Sequence, residues 1–419
     1  MPGHAVQGVI VIVGAGQAGL QAAESLRQEG FEGEILLLGA EAHGPYNRPP
    51  LSKKWLMDRP SLASLAIRGP EAIERKRIMH RPSSLAVELD RARQMLRLTD
   101  GSWLHYDGLV LATGSRLRPL PLPGAELGGV FGLRSLDDAL TIAAALDRCH
   151  GEGQPLVVIG GGFIGLEVAA TARKRGIEVV VLEGLSRLMS RVVAPIVSTA
   201  AARLHESHGT RLVFDAKVTE LVGREGRVVA VRTADGVEHP AGAVVVGVGV
   251  IQNDELAKAA GLECDRGIVV DSCSRTADPL VTAAGDCTAR RMPDGSLLRL
   301  ESVQNAVEQG KSAAAALMGR ERPFLAAPWF WSDQFDLKLQ MVGLSHGYDT
   351  VISRGDADSA AFSAYYYRAG QLIAVDSLSR PGEHMVARKL LDAGLTPTPQ
   401  QVADLQFDLA SLVRKPTLA

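Results

Sequence analysis

The chain has 419 residues, 46% of them hydrophobic and 22% charged, and a formal net charge of −2. That length exceeds one ordinary core and predicts two or three domains of a globular protein. The near-neutral balance, with no long run of either sign, argues against a nucleic-acid partner recruited by bulk charge.

In chain order, Val9–Val13 is a continuous β-branched run, the pattern of a parallel strand buried on both faces. Gly14-Ala15-Gly16-Gln17-Ala18-Gly19 follows at once, and Gln17–Gln28 then shows helical spacing through Leu20, Ala23 and Leu26 until Gly30. Here Gly14 permits the tight turn, Gly16 lets the backbone approach a pyrophosphate, and Gly19 allows the helix to lie close to the strand. Glu34–Leu38 reads as the second strand. Gly39-Ala40 stands where an acid for the adenosine ribose is usual, and Glu41 is either that contact, displaced, or a solvated loop carboxylate. Tyr46 to Lys53 sets a rigid Pro49-Pro50 turn between Arg48 and Lys53. A lysine there suits negative charge developing on a reduced flavin. Tyr106–Ala112 is a further buried strand, stopped by Thr113-Gly114. The crossing Pro119 to Gly124, with three prolines, reads as a stiff link and a domain boundary.

After Pro155 the pattern restarts. Leu156–Ile159 is a strand, Gly160-Gly161-Gly162-Phe163-Ile164-Gly165 a second cradle, Ile164–Lys174 a helix closed by Gly176, and Ile177–Leu182 a second strand. The two cradles begin 146 residues apart, an internal repeat of one supersecondary unit. Glu183 ends the strand in the position of a ribose-binding acid, which favours NADH over NADPH, while Arg187 and Arg191 leave the phosphorylated cofactor open. Gly160, Gly162, Ile164, Gly165 and Glu183 are therefore the expected NADH contacts. Glu167, two residues past Gly165, is placed to pair with Lys53.

Gly267–Asp271 and Leu280–Ala284 read as short strands, the latter running into Gly285-Asp286-Cys287, where the carboxylate suits a ribityl hydroxyl or a structural turn. Glu301–Met318 is a long helical pattern. The remainder is rich in aromatics, including Trp329, Phe330, Trp331 and Tyr365 to Tyr367, and reads as an antiparallel sheet with helices after it. Cys149, Cys264, Cys273 and Cys287 lie far apart, so buried free thiols are expected, with neither a metal site nor a redox dithiol. No segment approaches the roughly 18 apolar residues of a membrane span, and a soluble, cytoplasmic protein is expected. The histidines, among them His80, His105, His205, His208 and His384, are scattered and pair with no acid or cysteine in the sequence, which leaves the hard chemistry to a cofactor.

Several stretches resemble one family across nearly the whole chain: Arg48-Pro-Pro-Leu-Ser-Lys53, Leu111-Ala-Thr-Gly114, Gly160 to Glu167, Gly285-Asp-Cys287, Glu301-Ser-Val-Gln-Asn305 and Pro328-Trp-Phe-Trp-Ser-Asp333. They are similar to the oxygenase-coupled, glutathione-reductase-like ferredoxin reductases typified by putidaredoxin reductase. The resemblance implies an α/β protein with two Rossmann-like dinucleotide-binding domains and a C-terminal α+β domain. FAD would occupy residues 1–118 and 248–325, NADH would occupy 119–247, and 326–419 would be the C-terminal domain. It implies FAD contacts at Gly14, Gly16, Ala18, Gly19, Glu41, Arg48, Lys53, Leu85, Thr113, Gly114, Arg134, Asp286 and Val303. It also pairs Glu167 with Lys53 and sets Trp331 at an exposed flavin edge, so that Lys53, Glu167 and Trp331 are the residues expected to act on electron flow. Two departures stand out: Ala40 replaces an acid, and Gln252 replaces a proline before Asn253.

The implied activity is hydride transfer from NADH to FAD, then single electrons to a [2Fe–2S] ferredoxin that feeds a cytochrome P450 or a dioxygenase. An NADH oxidase, a disulfide reductase and a redox-gated scaffold remain open alternatives, as does a monomer or a dimer.

Overall fold

The structure, a computed structural model, describes residues 5–414. Its contacts divide the chain into two units. The first comprises the described part of Met1–Asn47 with Ser61–Arg116 and Val250–Ala326; the second comprises Arg48–Pro60, Leu117–Gly249 and the described part of Ala327–Ala419.

The first unit is built on a five-stranded parallel sheet in the order Val281–Ala283, Gly108–Leu111, Val9–Val13, Glu34–Leu38, Ile78–Arg81. Strand residues alternate between faces, and here both faces are covered. Ile10 and Ile12 pack with Leu20 and Leu26 of the helix Gln17–Gln28 and with Ala313 of the helix Val303–Leu317. Val11 and Val13 pack on the other side with Leu89, Leu96 and Leu98. This explains the uninterrupted apolar run of the first strand. Strand order reverses between Val9–Val13 and Gly108–Leu111, and such a reversal opens a crevice at the carboxyl ends of the strands.

In the second unit the parallel sheet runs Arg211–Val213, Val179–Leu182, Leu156–Ile159, Ala243–Val246, Val130–Gly132. An antiparallel ribbon of Val218–Arg224, Arg227–Thr233 and Glu238–Pro240 covers Val157 and Ile159 through Leu221 and Val231. The aromatic segment of the same unit forms an antiparallel sheet ordered Trp329–Gln334, Leu337–Gly343, Gln371–Leu378, Phe362–Arg368, Thr350–Arg354. Helix Pro381–Asp392 packs Ala387 and Leu390 against Val342, Tyr365 and Val375 of that sheet.

The element boundaries move by one or two residues from those predicted. The strand expected at Tyr106–Ala112 spans Gly108–Leu111, and the one expected at Ile177–Leu182 begins at Val179. Helix Val303–Leu317 starts two residues late because Ser302 caps it, its hydroxyl accepting the Asn305 N–H. The short strands Ala86–Asp90, Met95–Leu98 and Trp103–His105 form a ribbon that the sequence pattern did not separate from loop. The four cysteines are free, and Cys264 is half-buried where burial was expected. Among the described residues no helix is long and apolar enough to cross a membrane, and no cluster of three metal-ligating side chains occurs.

Candidate functional site

Both glycine cradles fold into the same geometry. Gly14 has φ +114° and Gly160 φ +106°, values that side chains other than glycine rarely adopt. A Cβ on Gly14 would strike the Ala112 carbonyl oxygen, and one on Gly160 would strike that of Gly247. The third glycines, Gly19 and Gly165, lie so close to the carbonyl oxygens of Gly14 and Gly160 that any side chain would collide. The middle glycines differ: a Cβ on Gly16 or Gly162 would meet nothing within 4 Å. Steric need therefore explains the outer glycines, and open space remains in front of the middle ones. Gly16 and Gly162 are also the N-caps of Gln17–Gln28 and Phe163–Lys174, which carry no side-chain cap and no acid in the first turn. Amides left unsatisfied at the positive end of a helix dipole suit a pyrophosphate. The residues present thus fit two dinucleotides. Ala18 is buried in the first cradle helix, and Ile164 stands 43% exposed on the second.

At the carboxyl edge of the first sheet, the backbone joins the loop after Glu34–Leu38 to the turn that precedes Leu85. The Ser83 N–H donates to the Glu41 carbonyl at 3.0 Å and the Ser84 N–H to that of Gly39 at 2.7 Å. Glu41 accepts the Tyr46 hydroxyl at 2.6 Å. Thr113, next to Gly114, is fixed from the other side by Asn253, whose amide donates to the Thr113 carbonyl at 2.9 Å. Asp286 follows Gly285 (φ +88°) at the end of Val281–Ala283 and accepts the Ser115 hydroxyl at 3.2 Å. Val303 opens its helix, half-buried. Gln252, the departure from the expected proline, bridges Glu301 at 3.1 Å and Arg299 at 3.2 Å.

In the second unit, Glu183 directly follows the strand Val179–Leu182. Its carboxylate accepts the Gly161 N–H at 2.6 Å and the Leu185 N–H at 2.8 Å, which fixes it against the cradle loop. The Arg187 guanidinium is turned inward, donating to the carbonyls of Val193 and Ser190 and to the Ser198 hydroxyl, each at 2.7 Å. Arg48 donates to the Arg134 carbonyl at 2.6 Å.

Lys53 and Glu167 form an ion pair at 2.7 Å; the Lys53 side chain is 18% exposed and that of Glu167 1%. The rigid Pro49–Ser52 turn delivers Lys53, and the second cradle helix delivers Glu167. A carboxylate this deep needs further donors. It has them in Ser52, at 2.5 Å, and Ser332, at 2.7 Å. Ser332 is the residue after Trp331, so the strand Trp329–Gln334 contributes both a half-buried aromatic and a buried ligand of the ion pair. Gln334 donates to the Ser332 hydroxyl at 3.2 Å and faces His205 at 3.1 Å. Burial depresses His205 to about 4.

Ser52, Ser332, Gln334 and His205 were not singled out as site residues by the sequence reading. One signal was available: Ser332 and Gln334 alternate as polar, fully buried residues on a strand that opens with Trp329, Phe330 and Trp331 and sets Asp333 between them. Polar residues at inward positions need partners.

Fold and site together define a flavin-type oxidoreductase with two dinucleotide cradles. The chain belongs to the pyridine nucleotide-disulphide oxidoreductase family, whose model matches residues 8–310, and a Reductase C-terminal model matches 329–413. It is an oxidoreductase that uses FAD and NADH. It is 45% identical to rhodocoxin reductase of Rhodococcus erythropolis, over 96% of this chain and 93% of that one. Among solved structures, the ferredoxin reductase for the CYP199A2 system of Rhodopseudomonas palustris matches with TM-score 0.93 and 43% identity, over 97% of this chain and 100% of that one. The covalent putidaredoxin reductase–putidaredoxin complex matches with TM-score 0.93 and 39% identity, over 97% and 98% of the two chains.

Proposed function

We propose that the chain is an NADH:ferredoxin reductase whose acceptor is a small [2Fe–2S] ferredoxin serving a cytochrome P450 or a dioxygenase. One observation carries this reading. The Reductase C-terminal match covers residues 329–413 in a chain whose four cysteines are all unpaired. A disulfide reductase on this fold needs a thiol pair to take electrons, and this chain must pass them outward. The likeness to structures of ferredoxin reductases, one of them joined to its redox protein, supports the choice of acceptor.

FAD, when bound, accepts a hydride and releases electrons one at a time. The residues of the chain do the rest. Gly16 lets the backbone approach its pyrophosphate, Gly14 and Gly19 shape the turn and the close helix packing of that cradle, and Ala18, Glu41, Arg48, Leu85, Thr113, Gly114, Arg134, Asp286 and Val303 are further contacts. Gly160, Gly162, Ile164 and Gly165 hold NADH, and Glu183 takes its ribose. Lys53, oriented by Glu167, offsets negative charge on the reduced cofactor, and Trp331 lies on the electron exit. Three domains follow: 1–118 with 248–325 for FAD, 119–247 for NADH, and 326–419. The protein works in the cytoplasm, where NADH is supplied and free thiols persist, as a monomer or a dimer.

The test is spectroscopic. The purified protein should be yellow, bleach with NADH faster than with NADPH, and reduce a [2Fe–2S] ferredoxin chosen from a panel of iron–sulfur acceptors. Reconstitution with a P450 and with a dioxygenase then separates the two terminal partners. A bleached flavin that reoxidises only with oxygen, whatever acceptor is offered, removes the reading.

A further inference from the structure

The buried ion pair ends a hydrogen-bond chain whose direction can be deduced. Glu167, as a carboxylate, only accepts. One oxygen takes Lys53 at 2.7 Å and Ser52 at 2.5 Å, and the other takes the Ser332 hydroxyl at 2.7 Å. Because Ser332 spends its proton on Glu167, it must accept from its other neighbour, so the amide NH₂ of Gln334 faces it at 3.2 Å. The Gln334 oxygen therefore faces His205, and the His205 Nε2, 3.1 Å away, must carry the proton. His205 Nδ1 is left without a partner among the described residues. Every donor thus points toward the carboxylate: His205 to Gln334, Gln334 to Ser332, Ser332 to Glu167. Ser332, Gln334 and His205 are all buried.

We propose that Ser332 is a positioning residue for the reductase reaction: with Gln334 and His205 behind it, it locks the Glu167 carboxylate in the rotamer that aims Lys53 at the reduced cofactor. The inference rests on the Lys53 role proposed above. Its physical basis is that two oxygens of one carboxylate are claimed by different elements. Ser52 and Lys53 come from the turn at the start of the second unit, and Ser332 comes from the strand that carries Trp331. Removing the Ser332 hydroxyl leaves one buried oxygen without a donor and frees the carboxylate to rotate toward Ser52 and Lys53. Lys53 is then drawn to Glu167 and offers less charge to the cofactor.

The experiment measures the two-electron midpoint potential of the flavin in the full-length holoenzyme, alongside the rate of hydride transfer and the KM for NADH. Ser332→Ala should make reduction about tenfold less favourable, a shift of about 30 mV to more negative potential. Hydride transfer should slow with it while the KM for NADH holds. Ser332→Thr, which keeps the hydroxyl, should restore the wild-type potential. Gln334→Met, which removes the donor behind Ser332, should shift it the same way by less, and serves if the alanine variant does not fold. Glu167→Gln is the reference. A shift with Glu167→Gln and none with Ser332→Ala or Gln334→Met overturns the positioning role and leaves that of Lys53 standing. No shift with any of them overturns both.

Discussion

His205 shows how the interior of this protein treats a titratable side chain. Its ring is buried, bonded to Gln334, and stacked edge-on to Phe335 at 5.0 Å. Burial favours the neutral form and lowers its value from 6.5 to about 4. The sign follows from linkage. The unfolded chain takes up a proton near 6.5 and the folded one resists it until about 4. The stability this group contributes is therefore complete above pH 6.5 and is lost as pH falls toward 4, on the order of 3 kcal/mol at full effect. Thermal melts of wild type and His205→Gln across that window should show the wild type losing stability relative to the variant as the solution becomes more acidic. Parallel curves would mean that the ring is hydrated in solution. At this scale the sequence disclosed less than it held. Glu183, Lys53 and Glu167 were legible because each sits at a fixed offset from a glycine or proline motif. His205 was not, because the partner that gives it meaning is 129 residues away.

The glycine cradle is the element that repeats, and its two copies are distinguishable by experiment. Gly19 and Gly165 each press against a carbonyl oxygen of their own loop, with no room for a methyl group. Gly19→Ala should push the helix Gln17–Gln28 off its strand and cut flavin retention by about tenfold or more, read as the absorbance ratio of the purified protein. Gly165→Ala should leave the flavin content unchanged and raise the KM for NADH by a similar order. If either substitution both cut flavin retention and raised the KM for NADH, the assignment of one cofactor to each cradle would be wrong. These elements were legible because their chemistry is local: strand, turn and helix start lie within a dozen residues. The ribbons at Ala86–His105 and Val218–Pro240 escaped notice because their strands are only partly buried, and those of the first are also short. The preference of such strands depends on the neighbours they meet in the fold more than on their own residues.

Over the whole molecule, the segment beyond residue 326 is not an appendage to the unit it joins. Tyr366 accepts the Ala194 N–H at 2.9 Å, Lys174 donates to the Phe335 carbonyl at 2.9 Å, and the Phe163 and Phe330 rings lie 4.9 Å apart. With Ser332 on one oxygen of Glu167 and Gln334 on the His205 ring, the aromatic sheet supplies partners to two buried polar groups of this unit. A chain ended after Ala326 should therefore aggregate, and sedimentation after a mild heat step would show it. A truncated form that stays monomeric and melts in one transition would contradict this packing.

The sequence by itself determined the two cradles, the strand and helix around each and the acid at Glu183, because backbone sterics and short-range spacing encode them. Only the tertiary structure decided how Glu167 is held. It brought a serine from a proline turn and a serine from an aromatic strand 165 residues from Glu167 onto the two oxygens of one buried carboxylate. No local pattern carries that information, since desolvation selects such partners only after the chain has closed around them.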